Sequence, residues 1–273
     1  MRKARLAALI LATLSTPARS ADPPPPYSIT LGPRTACATP TTSRQARAEG
    51  GTTDVTVPTS NVLAMTMSGS VAANAFLGQT SAATETFHLE QEFELVGTDP
   101  AAAQAKMTLD SALVGFVRSR HKAGACVKVA RAKVCLVGSP EPVLALAHPP
   151  FCVEGGEGRL CNQHLPLVRL NGVPTGRYVF SADLVLTSEA SGLTDGHSAA
   201  DFSPSTSLPA DWVRTRDPFQ GVDKKDFGFK VTLTVEPPEA VRPVPPPSRV
   251  QVPAPDPITP ALPSGLDRHS GPR

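Results

Sequence analysis

The chain has 273 residues, 40% hydrophobic and only 18% charged, with 30 prolines, 20 glycines and five cysteines. Its 26 Lys and Arg stand against 24 Asp and Glu, a formal charge of +2 at pH 7. So even a balance has no broad pull on phosphate and speaks against nucleic acid as a partner.

At the N-terminus Arg2, Lys3 and Arg5 precede an apolar run from Leu6 to Leu14, and Ala18 and Ser20 stand where a signal peptidase reads small residues. This is the layout of a secretory signal peptide over residues 1–20. The run is too short to cross a bilayer, and no later stretch is long and apolar enough to form a transmembrane span. Cys37 lacks the apolar residues that precede a lipidated cysteine. Removal of residues 1–20 lowers the basic count from 26 to 22 against an unchanged 24 acidic residues, so the mature charge is −2. The expected location is periplasmic, cell envelope or extracellular.

Residues 21–52 begin with Pro23–Pro26 and then mix Pro, Thr, Ala, Arg and Gly without a sustained hydrophobic period. They read as a disordered or linker arm. The alternation of Tyr27, Ile29 and Leu31 leaves a first strand as the alternative.

Residues 53–236 carry the folded domain. Period-two alternation puts one face of a strand in a core and the other in water. It is clearest at Phe87, Leu89, Phe93 and Leu95, at Tyr178, Phe180, Ala182, Leu184 and Leu186, and at Phe227, Phe229, Val231, Leu233 and Val235. Further strands are expected near residues 62–71, 107–117, 127–137, 143–147 and 165–170. One helical turn or two is expected over Asp99–Lys106, where an Asp N-cap precedes Pro100 and good helix formers. The fold class is therefore all-β, an antiparallel β-sandwich, Ig-like or jelly-roll-like, of about nine or ten short strands. The tail, residues 237–273, holds 12 prolines and reads as extended, disordered chain.

In an oxidising compartment cysteines pair. Cys126 with Cys135 and Cys152 with Cys161 share one spacing. A hairpin centred on Gly156 and Glu157 would bring Cys152 opposite Cys161 at a pair of closest side-chain approach. The same count for Cys126 and Cys135 places Lys128 opposite Lys133 and lacks turn residues. Crosswise pairing of the two couples is the competing arrangement. The spacing is not that of a zinc knuckle. Cys37 is left as a free thiol or a link to a second chain.

No catalytic or cofactor motif emerges. Gly-x-Ser-x-Gly is missing, and Ser68, Gly69 and Ser70 read as a bulge or turn. Neither a Walker loop nor a Rossmann fingerprint is present. His121, His148, His164 and His197 fall in expected turns or strand edges, as exposed polar residues without zincin spacing. No metal site is expected, the only calcium candidates being Asp195 and Asp201 near the loop Leu193–His197, with Asp183 nearby. Glu90, Glu92 and Glu94 are evenly spaced opposite Phe87, Leu89, Phe93 and Leu95, which makes them the wet face of a strand rather than a catalytic pair. Trp212, Arg214, Arg216 and Phe219 form the candidate ligand-binding stretch, an aromatic plane beside charges suited to a sugar ring.

These readings describe an exported, non-catalytic β-sandwich without cofactor, an interaction or structural module of the cell envelope whose partner is another envelope protein or a polysaccharide. A small carbohydrate- or calcium-binding module is the alternative, and an extracellular hydrolase the remote one.

Overall fold

The alternation read along the chain becomes two antiparallel sheets. The computed structural model describes residues 26–43, 45–97, 103–155, 158–192, 196–205 and 222–238. Among them are thirteen strands: β1 (Tyr27–Thr42), β2 (Ala46–Thr59), β3 (Val62–Ala75), β4 (Thr80–Gly97), β5 (Gln104–Arg120), β6 (Ala123–Leu136), β7 (Pro142–Ala147), β8 (Phe151–Glu154), β9 (Gly158–His164), β10 (Val168–Pro174), β11 (Gly176–Ser191), β12 (Gly196–Asp201) and β13 (Gly228–Glu236). The first sheet runs β1-β4-β11-β6, with β7 and β8 sharing the outer side of β6. The second is built on β5 and β3. Between them β12 and β13 fill one lane end to end, β2 lies outside β3, and β9 and β10 share the far side of β5.

Each strand buries the residues its pattern puts on one face. Phe87, Leu89, Phe93 and Leu95 of β4 and Tyr178, Phe180, Leu184 and Leu186 of β11 share one core cluster with Leu63, Met65 and Met67 of β3 and Phe229, Val231 and Leu233 of β13. Burial of each such side chain contributes about 1.5–3 kcal/mol. The Phe93 and Tyr178 rings stack with centroids 5.5 Å apart. The buried phenols are satisfied, Tyr27 donating to the Gln104 carbonyl and Tyr178 to the Pro174 carbonyl, each at 2.5 Å.

The bulge expected at residues 68–70 lies on the partner strand. The β2–β3 register shifts between Glu49 and Thr52, so that Gly50 and Gly51 face Gly69 alone. Phe87 explains the glycines: its ring occupies the space that a Cβ on Gly51 or Gly69 would need.

Several expectations are corrected. Most of the arm over residues 21–52 is strand: β1 pairs with β4 from Tyr27 to Thr42, and β2 with β3 from Ala46. Backbone pairing supplies the order there, because Thr30–Thr42 bury no side chain and so show no hydrophobic period. The strands exceed nine or ten and are not all short, four of them having 16 to 18 residues. The count rises because three lanes are each shared by two strands. Residues 104–106 of the expected helix begin β5, the remainder of that segment lying outside the described residues except Ala103. The expected signal peptide over residues 1–20 and the expected tail beyond Pro238 also lie outside them.

The disulfide is crosswise. Cys126 of β6 stands in register with Cys152 of β8 and is bonded to it. The expected partners of both are free. Cys126 and Cys135 lie on one strand, so no hairpin joins them. The chain from β8 to β9 passes from the first sheet to the second, carrying Cys161 into the core, where its thiol donates to the Leu113 carbonyl at 3.7 Å. Burial pushes that thiol up to about 12.

Cys152→Ser is expected to cost about 3 kcal/mol in denaturant unfolding, as for a bridge spanning 26 residues. A non-reducing peptide map should show the 126–152 link, and a 152–161 link in the wild-type chain would contradict this pairing.

Candidate functional site

Because side chains alternate across a strand, residues in register on neighbouring strands form rows. One row crosses the outer face of the first sheet: Cys37 on β1, His88 on β4, Asp183 on β11 and Arg131 on β6. His88 Nδ1 lies 2.6 Å from Asp183 Oδ1, and Arg131 Nε donates to Asp183 Oδ2 at 2.7 Å. Burial pulls the Asp183 carboxyl up, but the bonds from His88 and Arg131 outweigh it and hold the group below the usual carboxylate range. His88 Nε2 stands 3.4 Å from Glu90 Oε1, and Arg177 Nη2 donates to Glu92 Oε2 at 2.7 Å. Glu90, Glu92 and Glu94 thus occupy the outward face of β4, as their spacing requires, with Phe87, Leu89, Phe93 and Leu95 on the buried one.

Two grooves lie nearby, one of them over the row itself. The larger, about 750 Å³, is lined by Ser43, Thr80, Lys122, Lys128, Glu189 and the bridged Cys126, among others. The smaller, about 430 Å³, lies over Arg131, Lys133, Ser181 and Asp183.

A second cluster of titratable groups lies around the second sheet, where β12 stops and β13 has not begun. The lane is bridged there by Phe202, whose backbone exchanges bonds with Gly69 at 2.9 and 3.4 Å. Asp201 is buried, accepts from the Ser203 N–H at 3.1 Å and lies 3.8 Å from Lys224 Nζ. Burial raises its carboxyl to about 6 against those two partners. From the first sheet Glu85 points into the core, with no exposed surface. Its Oε1 accepts from the Gly51 N–H at 3.2 Å, while its buried Oε2 has no hydrogen-bond partner. Burial raises the Glu85 carboxyl to about 7, the Gly51 N–H opposing and the charge of Glu49 adding to the shift. Sequence reasoning missed Glu85, though an acidic residue at an odd, inward position of β4 was the available signal.

The remaining candidates are scattered. Trp212, Arg214, Arg216 and Phe219, which fall between β12 and β13 in the sequence, lie outside the described residues, and so does Asp195. Among the described residues no group of three His, Cys, Asp or Glu side chains is arranged to hold a metal. His148 is not the exposed histidine expected of it. It is buried against Phe229, with Nε2 2.9 Å from Ser111 Oγ and Nδ1 3.3 Å from Gln163 Oε1, and burial lowers its pKa. His121 and His164 are exposed, and half-buried His197 places Nδ1 2.6 Å from Asn74 Oδ1.

No protein-family model matches the sequence, and neither a curated protein nor a solved structure matches it.

Glu85 sets an expected pH dependence. A carboxyl raised from 4.5 to about 7 in the folded state favours folding below pH 4.5, and that contribution is lost as the pH rises through 7. Between pH 5 and 8 the unfolding free energy of the wild type should fall by up to about 3 kcal/mol more than that of Glu85→Gln. Parallel pH profiles for the two proteins would show that Glu85 does not titrate in this range.

Proposed function

We propose that the chain is an exported, non-catalytic interaction or structural module of the cell envelope, a two-sheet sandwich of Ig-like or jelly-roll-like kind, and that it meets its partner through the outer face of its first sheet. The observation that carries this reading is the charged row on that face. His88, Asp183 and Arg131 are tied to one another across three strands, and Glu92 to Arg177, so the charges are held in fixed positions at the surface. Fixed complementary charge favours recognition and its orientation over bond-breaking chemistry. The buried carboxyls of Glu85 and Asp201, by contrast, have little or no exposed surface with which to reach a substrate.

The partner in this reading is another envelope protein. A polysaccharide is the second reading, favoured by the hydroxyls of Ser43, Thr80, Thr187 and Ser191 along the larger groove. The proline-rich tail serves as a spacer or docking arm, since extended proline chain is partly ordered before it binds.

Lys128 and Lys133 are exposed, one in each groove, and test the face without touching the core. The double variant Lys128→Glu and Lys133→Glu should keep the wild-type Tm within about 2 °C. It should also pass from the envelope pellet to the soluble fraction in cells expressing the full chain. Retention in the pellet at the wild-type level would exclude this face as the contact. A Tm raised by a polysaccharide panel would favour the glycan reading instead.

A further inference from the structure

β1 is an edge strand with an unusual stretch. It pairs with β4 alone, and from Thr30 to Thr42 every residue is exposed, those turned toward the second sheet as well as those turned away. A long edge of this kind is a template for another strand. Which backbone groups it offers follows from two hydrogen bonds. The Ile29 N–H points away from β4, donating to the Ser60 carbonyl at 2.6 Å, and the Ser43 N–H points toward it, donating to the Ala82 carbonyl at 2.9 Å. The register shift between Leu31 and Arg34 reverses the parity once. Beyond it the N–H groups of Arg34, Ala36 and Ala38 face outward. Pro40, which has no N–H, falls on the same outward side, where an edge strand tolerates proline. The backbone of Cys37 is therefore turned to β4, and its exposed, free thiol stands on the outer face beside His88.

Around that thiol the sequence reads Thr35, Ala36, Cys37, Ala38, Thr39, the same in both directions. A two-fold axis through an antiparallel pair of strands needs this property, because residue i must meet residue j and j must meet i. With the axis at Cys37, Thr35 faces Thr39 of the partner subunit, Ala36 faces Ala38 of the partner subunit, and Cys37 meets its own counterpart. The alanine positions are the outward-bonding ones and exchange both backbone bonds. The cysteine position is the close, non-hydrogen-bonded kind, with Cα atoms about 4.5 Å apart. That separation lies within the range of a disulfide. Paired threonines are favourable neighbours, and no like charges meet within these five positions.

We propose that two copies of this chain join edge to edge through β1 and are locked by a disulfide between their Cys37 residues. The inference goes beyond the module reading above and shares with it only the oxidising compartment. A two-stranded pairing this short is marginal without a covalent link, which gives the bond its purpose. In a buffer of small-molecule disulfide, the Cys37 thiolate of one chain attacks a sulfur of that disulfide, forming a mixed disulfide and releasing one small thiolate. The Cys37 thiolate of the second chain then attacks the protein sulfur of the mixed disulfide and releases the other. Two protein thiols are oxidised, one disulfide is reduced to two thiols, and the two protons end on those thiols.

The test uses the mature chain, residues 21–273, incubated with oxidised glutathione and followed by non-reducing electrophoresis and peptide mapping. A dimer carrying a Cys37–Cys37 link is expected, and Cys37→Ala should abolish it. Ala38→Pro removes an outward N–H without disturbing the ladder to β4, and should slow the link by about tenfold. The decisive variant combines Cys37→Ala with Ala38→Cys, moving the thiol one residue to a position that faces residue 36 of the partner. It should link far more slowly than the wild type. Equal rates would mean random collision and overturn the proposal, as would a wild-type chain that stops at the glutathione adduct.

Discussion

The register that β4 imposes on its two neighbours is the constraint from which the other features follow. Its eighteen residues pair with β1 along one side and with β11 along the other, and its side chains alternate inward and outward from Ser81 to Val96. A slip of one residue would put Phe87, Leu89, Phe93 and Leu95 in water and Glu90, Glu92 and Glu94 in the core. Transfer of three carboxylates to an apolar interior is far costlier than any pairing could offset. The register is therefore held by the core, and the surface row of Cys37, His88, Asp183 and Arg131 is its by-product on the opposite face.

The same register explains the inward-facing acid of β4. Glu85 sits at an odd position of β4, where its neighbours are Ala83 and Phe87, and the fold accommodates it with a backbone N–H from the Gly51 bulge rather than a cation. Phe87 fills the space above Gly51 and Gly69, so the bulge does two things at once. It makes room for the ring and turns a donor toward the carboxyl.

What could be read from the sequence was what a local period encodes. The inward set on β4, β11 and β13 was legible because each strand packs one face on a core, and Phe227 to Val235 alternate with small or polar residues as a half-wet strand does. β1 was legible only at its start, where Tyr27, Ile29 and Leu31 left a strand as the alternative; its continuation escaped because edge bonds carry no side-chain signature, and Thr35 to Thr39 would look the same in a linker. The disulfide escaped for a different reason. Equal spacing of Cys126 with Cys135 and of Cys152 with Cys161 suggested two local hairpins, but which strands become neighbours is a long-range property. Cys126 meets Cys152 because β8 returns to β6 after the interval that holds β7. The surface row was illegible on similar grounds, since Cys37, His88, Arg131 and Asp183 are brought together by pairings across four strands.

The lane shared by β12 and β13 has a consequence for how such a chain can change over generations. Both segments are fixed between β3 and β5, and Phe202 and Phe227, which continue from them, are buried, so the sequence between Ser205 and Val222 joins two ends that are anchored on the same lane. Residues can be added to or removed from that stretch of sequence without altering the register of either segment, because its two ends are anchored independently. The sheet thus holds an insertion point in its middle rather than at its rim, at the break where Asp201 and Lys224 stand, and new sequence can be tried there while the core is left untouched.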